Sequence, residues 1–144
     1  RLKLDAPTLY LALKTTADEF DKMREDIDVV LDYNLGHCPL SANEDIHVLQ
    51  IIREALTNAI KHSHADRIEL KCVHTDNHKT IFSVIDNGVG ISDNPYKDHH
   101  YGLSTMKERA ALVDGELSIT SDNGKSSNNK GTTVSLAFIP EAFS

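Results

Sequence analysis

The chain has no tryptophan, two cysteines, four prolines and only 6% aromatic residues in 144 positions. Cys38 and Cys72 stand far apart without metal-ligand spacing, so neither a disulfide framework nor a cysteine-rich zinc site is expected. Two lone thiols in an acidic chain read as reduced and cytoplasmic. No apolar run approaches the roughly 20 residues needed to cross a membrane, and a signal-peptide layout is missing at the start. Basic residues are outnumbered, giving a net charge of -7, which argues against nucleic acid or an anionic membrane surface as a partner. The eight histidines include the short pairs His62/His64 and His99/His100, but none sits at a recognised ligand spacing. Opening on Arg1 rather than Met, the chain reads as a piece of a longer protein.

What remains is one globular domain of ordinary size. Residues 7 to about 24 carry apolar side chains near helical spacing, with Pro7 in the first turn. Ile27, Val29, Leu31 and Tyr33 alternate as in a strand. A helix is expected over Ser41–Ala65, opened by a capping box of Ser41 and Glu44. Strands follow at Ile68–His74 and Thr80–Ile85, then a polar loop over 92–101. A further helix carries Leu103, Met106, Ala110 and Val113, with Gly115 as its C-cap. Strands at Glu116–Thr120 and Thr132–Ile139 flank a polar tip, Ser121–Lys130, expected to be disordered. The order predicts an α+β two-layer sandwich, a single mixed sheet with helices over one face.

Three segments have the composition to hold a nucleotide. On the central helix Gln50, Glu54, Thr57, Asn58 and Lys61 share a polar stripe opposite Val48, Leu49, Ile52, Ala55, Leu56, Ala59 and Ile60. Glu54 and Asn58, one turn apart, both offer oxygens; magnesium takes few protein oxygens and keeps waters and phosphates. Lys61 is placed one turn further on to meet phosphate charge. Asp86, Gly88 and Gly90 follow a strand, where bare backbone admits a ligand and a fixed carboxylate accepts from an exocyclic amine. Tyr101, Gly102 and Leu103 open a helix whose free N–H groups suit phosphate oxygens, and Thr132 and Thr133 add hydroxyls. Taken singly, each segment also fits an ordinary role: a solvated helix face, an Asn-Gly turn, a helix cap.

Other nucleotide and metal motifs fail on spacing. Gly124-Lys125-Ser126 would need its first P-loop glycine at Ile119. Gly88 and Gly90 are followed by Asp93 where a dinucleotide fingerprint needs glycine. Asp86–Asn94 lacks the acidic spacing of an EF-hand loop, and no nucleophile elbow occurs.

Together the segments resemble one family. Glu54-Ala-Leu-Thr-Asn58-Ala-Ile-Lys61-His62 is similar to the N box of histidine-kinase ATPase domains. Asp86-Asn-Gly88-Val-Gly90 matches their first glycine box, and Tyr101-Gly102-Leu103 with Gly131-Thr132-Thr133 the second. The family is the gyrase, heat-shock-protein-90, histidine-kinase and MutL superfamily, with its Bergerat ATP-binding fold. The resemblance implies ATP and Mg²⁺ as cofactors, Asn58 as the metal ligand and Asp86 as the adenine recogniser. It implies that Glu54 orients the incoming nucleophile, that Lys61 and His62 lie near the phosphates, and that the glycines shape the pocket. The Met106–Ala110 helix and the end Phe138-Ile-Pro140-Glu141 resemble Nar-type nitrate/nitrite sensor kinases, which pair with NarL-type response regulators. None of the eight histidines has the setting of a phosphoacceptor, and residues 1–4 look like the stub of a dimerisation helix. The resemblance therefore implies a kinase catalytic domain that phosphorylates a histidine on a separate dimerisation domain. In full length it would be the cytoplasmic part of a membrane-anchored homodimer. Two alternatives stand beside it: ATP hydrolysis of the gyrase or MutL type, and nucleotide binding without catalysis.

Overall fold

The computed structural model describes residues 8–36, 40–89, 102–123 and 130–144. Its elements run α1 (Thr8–Asp21), β1 (Asp28–Tyr33), α2 (Ala42–His62), β2 (Arg67–His74), β3 (Thr80–Asp86), α3 (Leu103–Ala111), β4 (Glu116–Asn123) and β5 (Lys130–Phe138), then a 3-10 turn at Glu141–Phe143. The strands form a five-stranded sheet in the order β1-β2-β3-β5-β4, and three helices pack over it. β1 runs parallel to β2, and the other pairs are antiparallel, so the sheet is mixed. The expected two-layer α+β architecture is the one observed.

Period-two burial orients the strands. Ile68, Leu70 and Cys72 of β2, Phe82 and Val84 of β3, and Leu136 and Phe138 of β5 face the helices and are buried. On the other face Ser83 and Ser135 pair through their hydroxyls at 2.8 Å. The core is completed by Leu13, Ala17 and Phe20 of α1, Val48, Ile52, Ala55 and Leu56 of α2, and Met106 and Ala110 of α3. Ile51 is buried as well, since α2 meets a second helix beside the sheet. There Arg53 reaches α1, with a bidentate ion pair to Glu19 and its guanidinium 5.3 Å from the Phe20 ring centroid.

The start of α2 is fixed as its sequence predicts. Ser41 Oγ accepts from Glu44 N–H at 3.1 Å, and Glu44 Oε1 accepts from Ser41 N–H at 2.9 Å. Glu44 does more than cap, because its Oε2 accepts from Glu141 N–H at 2.9 Å and ties the C-terminal turn to the helix. Glu44→Ala is therefore expected to cost about 2 kcal/mol and Ser41→Ala about 1 kcal/mol. Equal losses in thermal melts would show that the tie to Glu141 contributes nothing.

Several boundaries differ from expectation; α2 ends at His62 rather than Ala65, and β5 begins at Lys130 rather than Thr132. α1 stops at Asp21, short of Arg24, because the Asp21 carboxylate turns away to accept from Val29 N–H at 2.9 Å. The left-handed residue after α3 is Asp114 at φ 53°, not Gly115. Gly115 instead packs closely, since a Cβ there would lie 3.0 Å from Leu136 Cδ1 and 3.2 Å from Ala137 O. The tip expected over Ser121–Lys130 is shorter: Ser121, Asp122 and Asn123 pair with Thr132, Gly131 and Lys130 as a continuation of the β4–β5 ladder. Residues 124–129 and the 92–101 loop lie outside the described residues.

Candidate functional site

One end of the sheet, where β3 stops and β5 begins, adjoins the later turns of α2 and the start of α3. A pocket opens there between the two layers. Its polar lining is Asn58 and Ser63 from α2 and its cap, Asp86 from the end of β3, and Thr132 from β5. Its apolar lining is Ala55, Ala59, Val84, Leu103, Ile119 and Val134. The strands deliver these side chains by alternation, Val84 with Asp86 and Thr132 with Val134. The free volume is about 20 Å³, room for about one water molecule and too little for a purine-sized ring unless the walls part.

Asp86 is the best-defined group. It is 7% exposed, and its Oδ1 accepts from Gly88 N–H at 2.9 Å and from Thr132 N–H at 3.2 Å. Oδ2 takes part in neither bond. Burial pushes the Asp86 carboxyl above the ordinary aspartate range, and the two N–H donors offset part of that rise. A carboxylate held by one oxygen, with the other beside a largely apolar pocket, is suited to accept a hydrogen bond from an amine.

Two glycines let backbone come close. Gly88 is wedged against the end of α2, where a Cβ would stand 2.0 Å from Ser63 O. Gly102 caps α3 at φ 58° with no side-chain cap bond, and a Cβ on it would lie 2.9 Å from Glu54 Oε2. The half-buried Glu54 carboxylate thus adjoins the open N-terminus of α3, whose first N–H groups have no intrahelical partners. Asn58, 5% exposed, lies one turn along the same helix and inside the pocket.

The structure therefore brings Glu54, Asn58, Asp86, Gly88, Gly102, Leu103 and Thr132 to one end of the sheet. It does not bring Thr133 with them: as the next residue on β5 it faces the opposite side, beside Ile85 and Thr120. Lys61 is exposed and His62 half-buried at the end of α2, and neither lines the pocket. Gly90 and Tyr101 lie outside the described residues. Sequence reasoning missed Ser63 and, apart from Leu103, the apolar lining. Ala55 and Ala59, small residues one turn apart beside Asn58, were the available signal. Among the described residues no three His, Cys, Asp or Glu side chains cluster to hold a metal alone. One amide oxygen and one carboxylate fit a magnesium held mainly by phosphates and water, the usual arrangement for that ion.

Comparison with known proteins gives concordant results. Residues 43–142 match the family model described as "Histidine kinase-, DNA gyrase B-, and HSP90-like ATPase". The chain is 36% identical over 141 residues to the nitrate/nitrite sensor protein NarX of Escherichia coli K12, covering 98% of this chain and 22% of that protein. It is 37% identical over 139 residues to the sensor protein NarQ of the same strain, covering 96% of this chain and 23% of that one. It thus spans about a fifth of the length of these curated relatives. Among solved structures, the histidine kinase domain of the Erythrobacter litoralis EL346 blue-light activated kinase superposes with a TM-score of 0.75 at 19% identity. That match covers 94% of this chain and 62% of that one. The ATP binding domain of PrrB from Mycobacterium tuberculosis gives 0.73 at 20% identity, covering 90% and 91%. No helix among the described residues is long and apolar enough to cross a membrane.

Proposed function

The chain belongs to the histidine kinase-, DNA gyrase B- and HSP90-like ATPase family, and from that premise we propose that it binds Mg-ATP and passes the γ-phosphoryl group to a histidine on a separate dimerisation domain. The observation that carries this reading is the convergence of Asn58, Glu54 beside Gly102, and Asp86 at one end of the sheet. Asp86 accepts from the adenine amine through Oδ2 while its Oδ1 stays on Gly88 and Thr132. Asn58 would hold magnesium through its amide oxygen, and Glu54 would orient a water or the incoming imidazole beside it. Bound magnesium would draw charge from the phosphate oxygens and fix their arrangement. The N–H groups opening α3, together with Lys61 and His62 at the end of α2, offset charge on the transferred group. Thr132 flanks the pocket on β5, while Gly90, Tyr101 and Thr133 are assigned to the nucleotide by the family resemblance alone. In the transfer itself the bond from phosphorus to the bridging oxygen breaks as a phosphorus–nitrogen bond forms, and ADP leaves. Positioning and charge neutralisation carry the rate.

For the whole protein, the names of the relatives support nitrate or nitrite sensing. We place this domain on the cytoplasmic side of a membrane-anchored homodimer that signals to a NarL-type response regulator. The test mixes this domain with a separately made dimerisation domain and γ-labelled ATP. Acid-labile label on histidine is the expected result; phosphate released without transfer would instead favour hydrolysis of the gyrase or MutL type. Asn58→Asp is expected to weaken Mg-ATP binding about tenfold while the circular dichroism spectrum is kept. Unchanged magnesium-dependent affinity would remove Asn58 from the metal.

A further inference from the structure

We infer that Asn87, which faces solvent and reaches no ligand, is the positioning residue that holds Asp86 and Gly88 in register with the pocket. The inference rests on the reading of that pocket as a nucleotide site. Asn87 leaves β3 on the exposed side, yet its amide is folded back onto the start of β2. Oδ1 accepts from the N–H groups of Asp66 and Arg67, both at 3.1 Å. Nδ2 donates to Asp66 Oδ1 at 2.6 Å. The Asn87 N–H adds a bond to Arg67 O at 3.3 Å. Partner chemistry fixes the amide orientation, because two backbone N–H groups only donate and a carboxylate only accepts.

The turn is held from its other side by the end of α2. Val89 N–H donates to Ser63 O at 2.7 Å, and Gly88 presses on the same carbonyl. Ser63 is itself tied down, its hydroxyl donating to Ala59 O and accepting from Ala65 N–H at 3.1 Å. Between these two fastenings lies Gly88 N–H, one of the two donors that hold the Asp86 carboxylate. A turn fastened on one side alone pivots about Ser63, and a small rotation takes Gly88 N–H off Oδ1. Asp86 then keeps its place on β3 but loses the orientation of its second oxygen.

Three variants of the full 144-residue chain test this: Asn87→Ala, Asn87→Asp, and Asp66→Asn combined with Asn87→Asp. The second sets two carboxylates against each other; the combination restores a donor facing an acceptor with the partners exchanged. Affinities for Mg-ATP and Mg-GTP are measured by calorimetry well below each variant's melting temperature. Both single variants are expected to lose about tenfold in ATP affinity and most of the preference for ATP over GTP. The combined variant is expected to recover both. A turn that serves only stability would lower the melting temperature and leave the base preference where it was, and that result overturns the inference. Recovery of melting temperature without recovery of preference overturns it too. Failure of the parent chain to bind either nucleotide would instead remove the nucleotide reading, and this inference with it.

Discussion

Gly88→Ala is expected to lower the melting temperature by about 10 °C and to leave no measurable nucleotide binding. The Cβ would stand 2.0 Å from Ser63 O and 2.6 Å from both Ser63 C and Cβ. These are not the far end of a flexible side chain. Ser63 is the C-cap of α2, and its N–H donates to Ala59 O. Either the turn or the helix end must move, at about 3 kcal/mol by analogy with overpacked cores, and each kcal/mol lowers the midpoint by about 3 °C at this size. Moving the turn also takes Gly88 N–H from Asp86 and breaks the bond from Val89 N–H to Ser63 O. Gly88 is glycine for space, as its φ is not among the positive values. Gly102→Ala has the opposite character, with strain at φ 58° but only the end of Glu54 to displace. Calorimetry with and without Mg-ATP measures both effects; a midpoint within about 2 °C of the parent would contradict the steric argument.

Asp86→Asn separates recognition from folding. An amide oxygen at the same position still accepts from Gly88 and Thr132, and no buried charge remains. Stability near neutral pH is therefore expected to hold or rise slightly. ATP affinity is expected to fall on the order of 100-fold, the loss of a hydrogen bond to a charged acceptor. The pH dependence has a definite sign. Burial raises the folded-state pKa of Asp86, so the stability this group contributes is complete below the unfolded value of about 3.9. It is lost as pH rises through the raised folded value. Asp45 is raised as well, by burial and by Glu44, and it slopes the parent and the variant alike. The difference between the two curves thus isolates Asp86. Adenine recognition needs the ionised form, so parental ATP affinity falls on acidification at milder pH than for an ordinary aspartate. Identical pH profiles for the two proteins would remove Asp86 from base recognition.

Much of the fold was legible because its signals are local. The Ser41–Glu44 box, the α2 periodicity and the strand alternation all involve residues within a few positions of one another. The three pocket-forming segments were legible as compositions, and one end of the sheet brings them together. What local pattern could not supply is cross-strand. Ser121–Asn123 reads as a polar tip, yet partners in β5 extend it as a strand. Thr132 and Thr133 are indistinguishable in sequence, and only the pleat puts the first in the pocket and the second behind the sheet. Asp114 rather than Gly115 adopts the left-handed conformation, and Gly115 packs against Leu136 and Ala137.

Because β1 and β2 are adjacent and parallel, α2 is the link that carries the chain from one to the other. Its start is tied to the C-terminal turn through Glu44 and its end to the turn after β3 through Ser63, and Arg53 joins its middle to α1. The facing wall of the cleft of about 20 Å³ includes α3, with Leu103 at its tip. α3 is pinned at its far end, where Gly115 N–H bonds Ala110 O at 2.8 Å and Gly115 sits against β5. A tilt of α3 about that end would displace Gly102 most, beside the carboxylate of Glu54. Such a tilt would alter access to the pocket and the spacing between those two residues together.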